Sequence, residues 1–405
     1  MSKQKKIMLL GGIHYLLPVI RAAHEQGYYV ITADYLPDNI AHKYSDEFCN
    51  VNIVDKEAVL TEARKRNIDG IISFGVDPGV VAAAYVQEQM HLPQMGPFES
   101  VVILQNKDLF RAFLKEHGFN VPAAKGYIST QDALNDTTGL PPFPLIVKPT
   151  DSAGSKGVTR VDRIEDYEHA LNEAFRKSIS RHVIVEEFIE KQGCSSDTDS
   201  FLLNGKLCFV SFNAQHFDER AANPYTPAAY SWPSTFTKEQ EAYLTSELQR
   251  LLSLLHMQTS VFNIETRIGT NGKPYIMECT PRGGGNRLCE MLRYATGVDL
   301  ITAQVRAAVG DTVEGIEQKP YNGHWAEIIL HADQDGRFKK LHVDERFTPN
   351  IVDVDLWVSE GDKVCGFLGA NDAIGTLKMR FDSAEQMSEF ISNLREHVQI
   401  LLTNG

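Results

Sequence analysis

The chain has 405 residues, 43% of them hydrophobic and 23% charged, and carries a formal net charge of −13. That length points to two to four units of roughly 100–200 residues each, and the acidic balance excludes the basic face a nucleic-acid partner needs. No uncharged apolar run reaches the roughly 18 residues of a membrane span, and six scattered cysteines without a C-x-x-C pair indicate neither a zinc site nor a disulfide framework, which suits a cytoplasmic setting.

The opening MSKQKKIMLLGG has the basic front and apolar stretch of a secretion signal, but Gly11, Gly12 and His14 interrupt it, so a buried strand, a tight turn and a helix are the better reading. KKIMLLGG predicts a strand and residues 13–26 a helix stopped by Gly27. YYVITAD predicts a second strand, DKEAVLTEARKRN a helix capped by Asp55, and DGIISFG a third strand. Strands alternating with helices indicate a doubly wound parallel sheet. No G-x-G-x-x-G follows a strand, so this unit shows no dinucleotide fingerprint.

LPQMGPFES closes the first unit. NKDLFRAFLKEHG predicts a helix ending at Gly118, and FPLIVKP a strand running into the small-residue loop of KPTDSAGSKGV. Such a loop, flanked by Lys148 and Lys156, presents backbone N–H groups to phosphate. It is not a Walker A loop, because G-x-x-x-x-G-K-[ST] occurs nowhere. EDYEHALNEAFRKS then predicts a helix and RHVIVEEFIE a strand. Two Asn-Gly hairpins follow, SFLLNGKLCFVSF and SVFNIETRIGTNGKPYIMECT. Between them lie a long polar loop over residues 213–234 and the helix TKEQEAYLTSELQRLLSLLHM. Two more helices follow Arg287, and residues from about 323 onward predict short strands and a final helix.

The second hairpin carries the sharpest argument. A two-residue Asn271-Gly272 turn pairs Thr270 with Lys273, and the same register sets Glu265 directly across from Glu278. Like charges about 5 Å apart are destabilising, by roughly 3 kcal/mol at an effective dielectric of about 20. A divalent cation removes that cost, and hard oxygen donors suit magnesium. The alternative is a solvated face on which each glutamate finds a stray cation such as Arg267. In this register Asn263 and Thr280 share the glutamates' face, while Phe262, Ile264, Met277 and Cys279 point to the core. TPRGGGNR follows at once, its three glycines leaving the backbone free to approach a ligand and Arg282 free to meet phosphate or acyl oxygens.

In this order (NKDLF, VKPTDSAGSKGV, VEEFIE, FNIETRI, IMECTPRGGGN) the motifs resemble the ATP-grasp superfamily, in its carbamoyl-phosphate-synthetase-like, carboxylate–amine ligase branch. The resemblance implies an N-terminal doubly wound α/β domain, then the α+β ATP-grasp fold, then a β-rich C-terminal lid. The units would be residues 1–104, a first lobe with the Gly-rich flap over 105–190, a second lobe with the metal site over 191–318, and the lid over 319–405. It further implies that Lys107 and Lys148 contact the ATP phosphates and that Ser152, Gly154, Ser155 and Gly157 belong to the flap. Glu186 would meet the exocyclic amine of adenine with its side chain, while the Glu187 carbonyl and the Ile189 N–H meet the ring edge. Glu265 and Glu278 would hold magnesium, with manganese as an alternative, and Arg282 and Lys148 would be catalytic.

Two departures stand out. The family's third metal ligand, an asparagine two residues after the second glutamate, is here Thr280, and the glutamate that holds the ribose is replaced in KQGCSSDTD by Gln192, Cys194 or Ser195, which leaves that contact unassigned. The implied activity is phosphorylation of a carboxylate by Mg-ATP, followed by attack of an amine, on amino-acid-like small molecules. The same fold activating bicarbonate or formate, or acting as a non-catalytic ATP sensor, is the alternative. Arg220, Asn286 and Arg287, with Gln215, His216 and Tyr225, are candidates for the acceptor pocket. No nucleic-acid or membrane partner is expected, and a homodimer is compatible with the family.

Overall fold

The computed structural model describes residues 3–136, 138–151, 157–221 and 223–403. The flap residues Ser152, Gly154 and Ser155 lie outside them. The chain begins with β1 (Lys6–Leu10), α1 (Leu17–Glu25), β2 (Tyr29–Asp34), β3 (Glu47–Asn50), α2 (Lys56–Arg66), β4 (Gly70–Ser73) and α3 (Val80–Gln89). The four strands form a parallel sheet in the order β3-β2-β1-β4. Asp55 caps α2 by accepting from the Glu57 and Ala58 N–H groups, as its position predicts.

Helix α4 (Phe98–Gln105) leads to α5 (Lys107–Glu116), which Asn106 caps. Next come β5 (Ala124–Tyr127), α6 (Thr130–Asn135), β6 (Leu145–Pro149), β7 (Thr159–Val161), α7 (Tyr167–Lys177) and β8 (Val183–Glu187), which build an antiparallel sheet ordered β5-β8-β6-β7. Gly157, the one flap candidate described, has φ +74°, a left-handed conformation that suits glycine.

The remaining elements are β9 (Ser196–Leu203), β10 (Lys206–Phe209), β11 (Ala214–Phe217), β12 (Pro227–Trp232), α8 (Lys238–Leu254), β13 (Ser260–Ile268), β14 (Pro274–Thr280), α9 (Leu288–Thr296), α10 (Leu300–Ala308), β15 (His324–Leu330), β16 (Gly336–Val343), β17 (Ile351–Leu356), β18 (Lys363–Val364), β19 (Gly375–Phe381), α11 (Ala384–Ser392), α12 (Leu394–His397) and β20 (Val398–Thr403). They form three sheets, ordered β10-β9-β13-β14, β11-β12-β15-β19-β17 and β18-β16-β20.

Two expectations are corrected here. The polar stretch 213–234 is not simply a loop, for it holds β11 and β12, two strands of the five-stranded sheet. Its strands escape a hydrophobic pattern because polar residues are buried on both of their faces: Gln215, paired with Tyr230, is 5% exposed, and Ser231, paired with Ala214, 4%. The chain also ends on a strand, β20, which pairs with β16, rather than on a helix. Among the described residues no helix is long and apolar enough to cross a membrane.

Candidate active site

The hairpin β13–β14 does set Glu265 opposite Glu278, by a route other than the expected one. The turn is not a two-residue turn: Gly269 N–H donates to Lys273 O at 2.9 Å and Gly272 N–H to Gly269 O at 2.8 Å. The ladder next to it therefore pairs Ile268 with Pro274 and Thr266 with Ile276, one step out of the expected register. A bulge then inserts Met277 as an extra residue and restores the Glu265–Glu278, Ile264–Cys279 and Asn263–Thr280 pairs. Met277 consequently leaves the core of Phe262, Ile264 and Cys279 and joins Ile189 and Tyr275 in a small apolar cluster, while its carbonyl accepts from Arg111 Nη1 at 2.8 Å.

The side chains of Glu265 and Glu278 are 27% and 46% exposed. Arg267 reaches Glu265 at 3.5 Å and Lys107 reaches Glu278 at 3.5 Å, so the stray-cation alternative describes part of the arrangement. Neither contact is a short ion pair, and each glutamate still feels the charge of the other across the ladder. Burial and the charge of Glu278 push the Glu265 carboxyl up. Burial acts the same way on Glu278, but Lys107, Lys148, Arg111 and Arg282 outweigh it and hold that carboxyl down. Two facing, partly open carboxylates supply the hard oxygen donors that suit a magnesium ion.

Glu186 sits at the centre of a buried charge cluster. Its carboxylate, 2% exposed, is clamped between two cations, Lys148 Nζ at 2.9 Å and Arg111 Nε at 2.8 Å. Burial alone would raise its carboxyl, but Arg111 and Lys148 outweigh that and hold it at about 2. With one oxygen on each cation, its side chain fixes the position of Lys148. Glu187 N–H donates to Ala123 O at 2.8 Å, and Ile189 is buried beside Met277 and Tyr275.

Two acidic residues that hydrophobic patterning passes over enter from β9. Pairing sets Asp197 beside Glu265 and Asp199 beside Asn263, so Asp197, Glu265 and Glu278 form one cross-strand row. Asp197 accepts from Asn263 Nδ2 at 3.0 Å and from the Tyr230 hydroxyl at 3.1 Å, and burial with the Glu265 charge pushes its carboxyl up to about 7. Asp199 accepts from the Gly284 N–H at 2.8 Å. The signal was present in the S-D-T-D-S alternation, but nothing in the sequence told which strand lies beside β13. Asn263 stands directly across from Thr280, putting a carboxamide next to the place where the family carries its asparagine.

The glycine loop closes against the N-terminal sheet. Arg282 donates to Asp77 from Nη2 at 2.6 Å and from Nε at 2.8 Å, and Gly75 N–H bonds to Gly283 O at 3.0 Å. A Cβ on Gly283 would sit 2.2 Å from the Phe74 ring, so the close approach requires glycine there. Asn286 and Arg287 follow with φ +54° and +68°, two successive left-handed non-glycine residues. The Tyr15 hydroxyl holds Asn286 Oδ1 at 2.9 Å. Arg287 bonds to Asp355 at 2.7 Å and lies over the Trp357 ring, which in turn stacks on His14 with centroids 4.8 Å apart. Arg220 is exposed and not among these contacts; its neighbour Asp218 is tied to Arg395 and bonds the Arg220 N–H. His216 bonds to Ser231 at 2.8 Å.

Residues 141–290, which span β6, β8, the glutamate pair and the glycine loop, match the ATP-grasp domain. The chain carries an ATP-grasp domain. It is 22% identical over 326 residues to the carbamoyl phosphate synthase large chain, C-terminal section, of Aquifex aeolicus, covering 77% of this chain and 59% of that protein. It is 25% identical over 260 residues to the large chain of Helicobacter pylori, covering 62% of this chain and 23% of that protein. The chain thus spans less than two thirds of these relatives. Among solved structures, L-amino acid ligase from Bacillus licheniformis superposes with a TM-score of 0.82 at 19% identity, over 100% of both chains. Phosphoribosylglycinamide synthetase from Anaerococcus prevotii gives 0.76 at 19% identity, over 99% of this chain and 100% of that one. The fold is therefore the ATP-grasp architecture, with an N-terminal parallel sheet followed by antiparallel sheets.

Proposed function

We propose that the chain is an ATP-dependent carboxylate–amine ligase, which phosphorylates a carboxylate with Mg-ATP and lets an amine displace the phosphate. The single observation that carries this reading is the facing Glu265–Glu278 pair with Lys107 and Arg267 against it and Lys148, Arg111 and Arg282 acting on it. This is a preorganised field of donors and cations where negative charge develops during phosphoryl transfer.

Glu265 and Glu278 would hold magnesium, which when bound supplies charge neutralisation at the transferring phosphoryl group. Lys107 and Lys148 face the phosphates, and Glu186 fixes Lys148 so that its ammonium does not have to reorganise. Ile189, Tyr275 and Met277 offer an apolar surface for adenine beside the hinge strand. Arg282, buried and oriented by Asp77, stands at the reacting end, where a guanidinium pairs with an acyl phosphate. Gly283, Gly284 and Gly285 let the backbone come close to the acceptor. In this reading residues 1–104 wall the acceptor pocket and residues 319–405 close it. The scattered free cysteines suit the cytoplasm.

The test is ADP release with Mg-ATP over a matrix of small carboxylic acids and amines, offered singly and in pairs. Turnover that needs a particular acid and a particular amine together supports the reading. Turnover with bicarbonate or formate alone replaces it with a carboxylase-like one.

A further inference from the structure

One buried guanidinium touches both the support of Lys148 and the strand that carries Glu278. Arg111 lies on α5, four residues after Lys107, so the two share a helix face. It is 4% exposed and reaches two different sheets. Its Nε donates to Glu186 Oε1 on β8 at 2.8 Å, and its Nη1 to the carbonyl oxygen of Met277 on β14 at 2.8 Å. Strand β8 belongs to the sheet β5-β8-β6-β7 and β14 to the sheet β10-β9-β13-β14. Beyond the first arm, Glu186 Oε2 holds Lys148 Nζ at 2.9 Å. Beyond the second, Met277 is the extra residue of the bulge, and the next residue is Glu278.

The second arm bears on the register. A bulge disrupts its ladder locally, yet buried carbonyls still require donors, and Arg111 supplies one at Met277. Without the bulge, the pairing of Thr266 with Ile276 would run on to set Met277 opposite Glu265 and turn Glu278 to the other face of the sheet. Lys107 reaches Glu278 at 3.5 Å, so α5 touches β14 both at the bulge and at the glutamate the bulge displaces. The remaining nitrogen of Arg111, Nη2, is buried without a hydrogen-bond partner among the described residues, so the two hydrogen bonds above orient the guanidinium.

We propose that Arg111 is a positioning residue that couples the two halves of the site: through Glu186 it fixes Lys148, and through the Met277 carbonyl it holds the bulge that sets Glu278 opposite Glu265. The role rests on the ligase reading and adds to it the group that keeps the phosphate lysine and the metal pair in step. A planar fork suits this task, since it serves a carboxylate and a carbonyl in two directions at once, whereas a lysine ammonium is a point charge on a flexible stem. The charge-assisted bond to the carboxylate is the stronger of the two, so a lysine at this position would keep Glu186 and release Met277. The arms can therefore be cut separately. Glu186→Gln cuts the tie to Lys148 and leaves an amide oxygen for Arg111, Arg111→Lys cuts the tie to the bulge, and Arg111→Met cuts both.

The experiment measures the ADP affinity of the full chain by calorimetry, in EDTA and in magnesium, beside amide hydrogen exchange over residues 274–280 of the free chain. The ratio of the two affinities is the magnesium gain. Glu186→Gln should weaken metal-free ADP ~10-fold and keep both the magnesium gain and the exchange rates. Arg111→Lys should weaken metal-free ADP far less than Glu186→Gln does, cut the magnesium gain ~10-fold or more, and speed exchange over residues 274–280. Arg111→Met should show all three losses; if melting temperatures show that it does not fold, the other two variants carry the test. An arginine that only stabilised the fold would lower the melting temperature and leave the magnesium gain intact in Arg111→Lys, and that result overturns the proposal. Unchanged exchange in Arg111→Lys, a magnesium gain lost equally in Glu186→Gln, or a native chain that binds ADP with no magnesium gain would overturn it too. In each of these cases the native chain still binds nucleotide and the ligase reading is not what fails; if the native chain binds no ADP, both fall.

Discussion

Glu265 faces Glu278 across the β13–β14 ladder because Met277 bulges out and shifts the register by one residue. Without that bulge the longer turn would set Met277 opposite Glu265. The pair is therefore built by two departures from the simplest hairpin that cancel where the carboxylates sit.

The repulsion in that pair should be measurable. In metal-free buffer Glu265→Gln should raise the melting temperature by an amount worth ~1 kcal/mol or less, about 1 °C for 405 residues. Magnesium should stabilise the native chain and have little effect on Glu278→Ala. Thermal melts with and without magnesium decide it, and a lower melting temperature for metal-free Glu265→Gln would count against a net repulsion in the pair.

Glu186 should matter more to stability than an ordinary strand glutamate. Glu186→Gln leaves Lys148 and Arg111 buried without their counter-charge, so a loss of ~3–5 kcal/mol is expected, with a weaker affinity for ATP. The sign in acid follows from its folded value of about 2, below the ordinary carboxylate range. Its stabilisation is full above that range and is lost as pH falls toward about 2. Denaturant titrations of both chains across that interval should converge at the acid end.

Asp197 should show the opposite slope. Its folded value of about 7 lies above the unfolded one, so the folded chain holds the proton longer. The stabilisation is full below the ordinary carboxylate range and is lost as pH rises through about 7. Metal-free melting temperatures of the native chain should fall over that interval more steeply than those of Asp197→Asn, and parallel curves would refute the assignment.

Gly283→Ala should destabilise the loop, since the new methyl meets the Phe74 ring. A cost of ~1–3 kcal/mol is expected from overpacking, partly recovered in the double variant with Phe74→Leu. An unchanged melting temperature for the single variant would show that the loop does not sit against β4 as described.

Much of this architecture was legible in the sequence where local chemistry is strong. Asp55, Asn106 and the glycines at 27 and 118 mark their helix ends, and the N-terminal alternation yields the parallel sheet. The facing glutamates were legible in outcome but not in route, because a bulge leaves no mark that pattern reading can use. The strands β11 and β12 read as loop because buried Gln215 and Ser231 fall on opposite faces among their apolar residues, so neither face shows an unbroken apolar alternation. Asp197 was out of reach for a related reason: its importance comes from a neighbour on a strand distant in sequence, Glu265, and one chain does not announce its sheet order. Glu186 lay in a recognised motif, yet its tie to Arg111, 75 residues away, is a tertiary fact.

The most direct test of the account labels the carboxylate substrate found in the turnover matrix with heavy oxygen and follows the label into the phosphate released from Mg-ATP. An acyl phosphate intermediate predicts that one labelled oxygen moves into phosphate for each turnover, and that the transfer disappears in Arg282→Ala. Unlabelled phosphate accompanying product formation would contradict it.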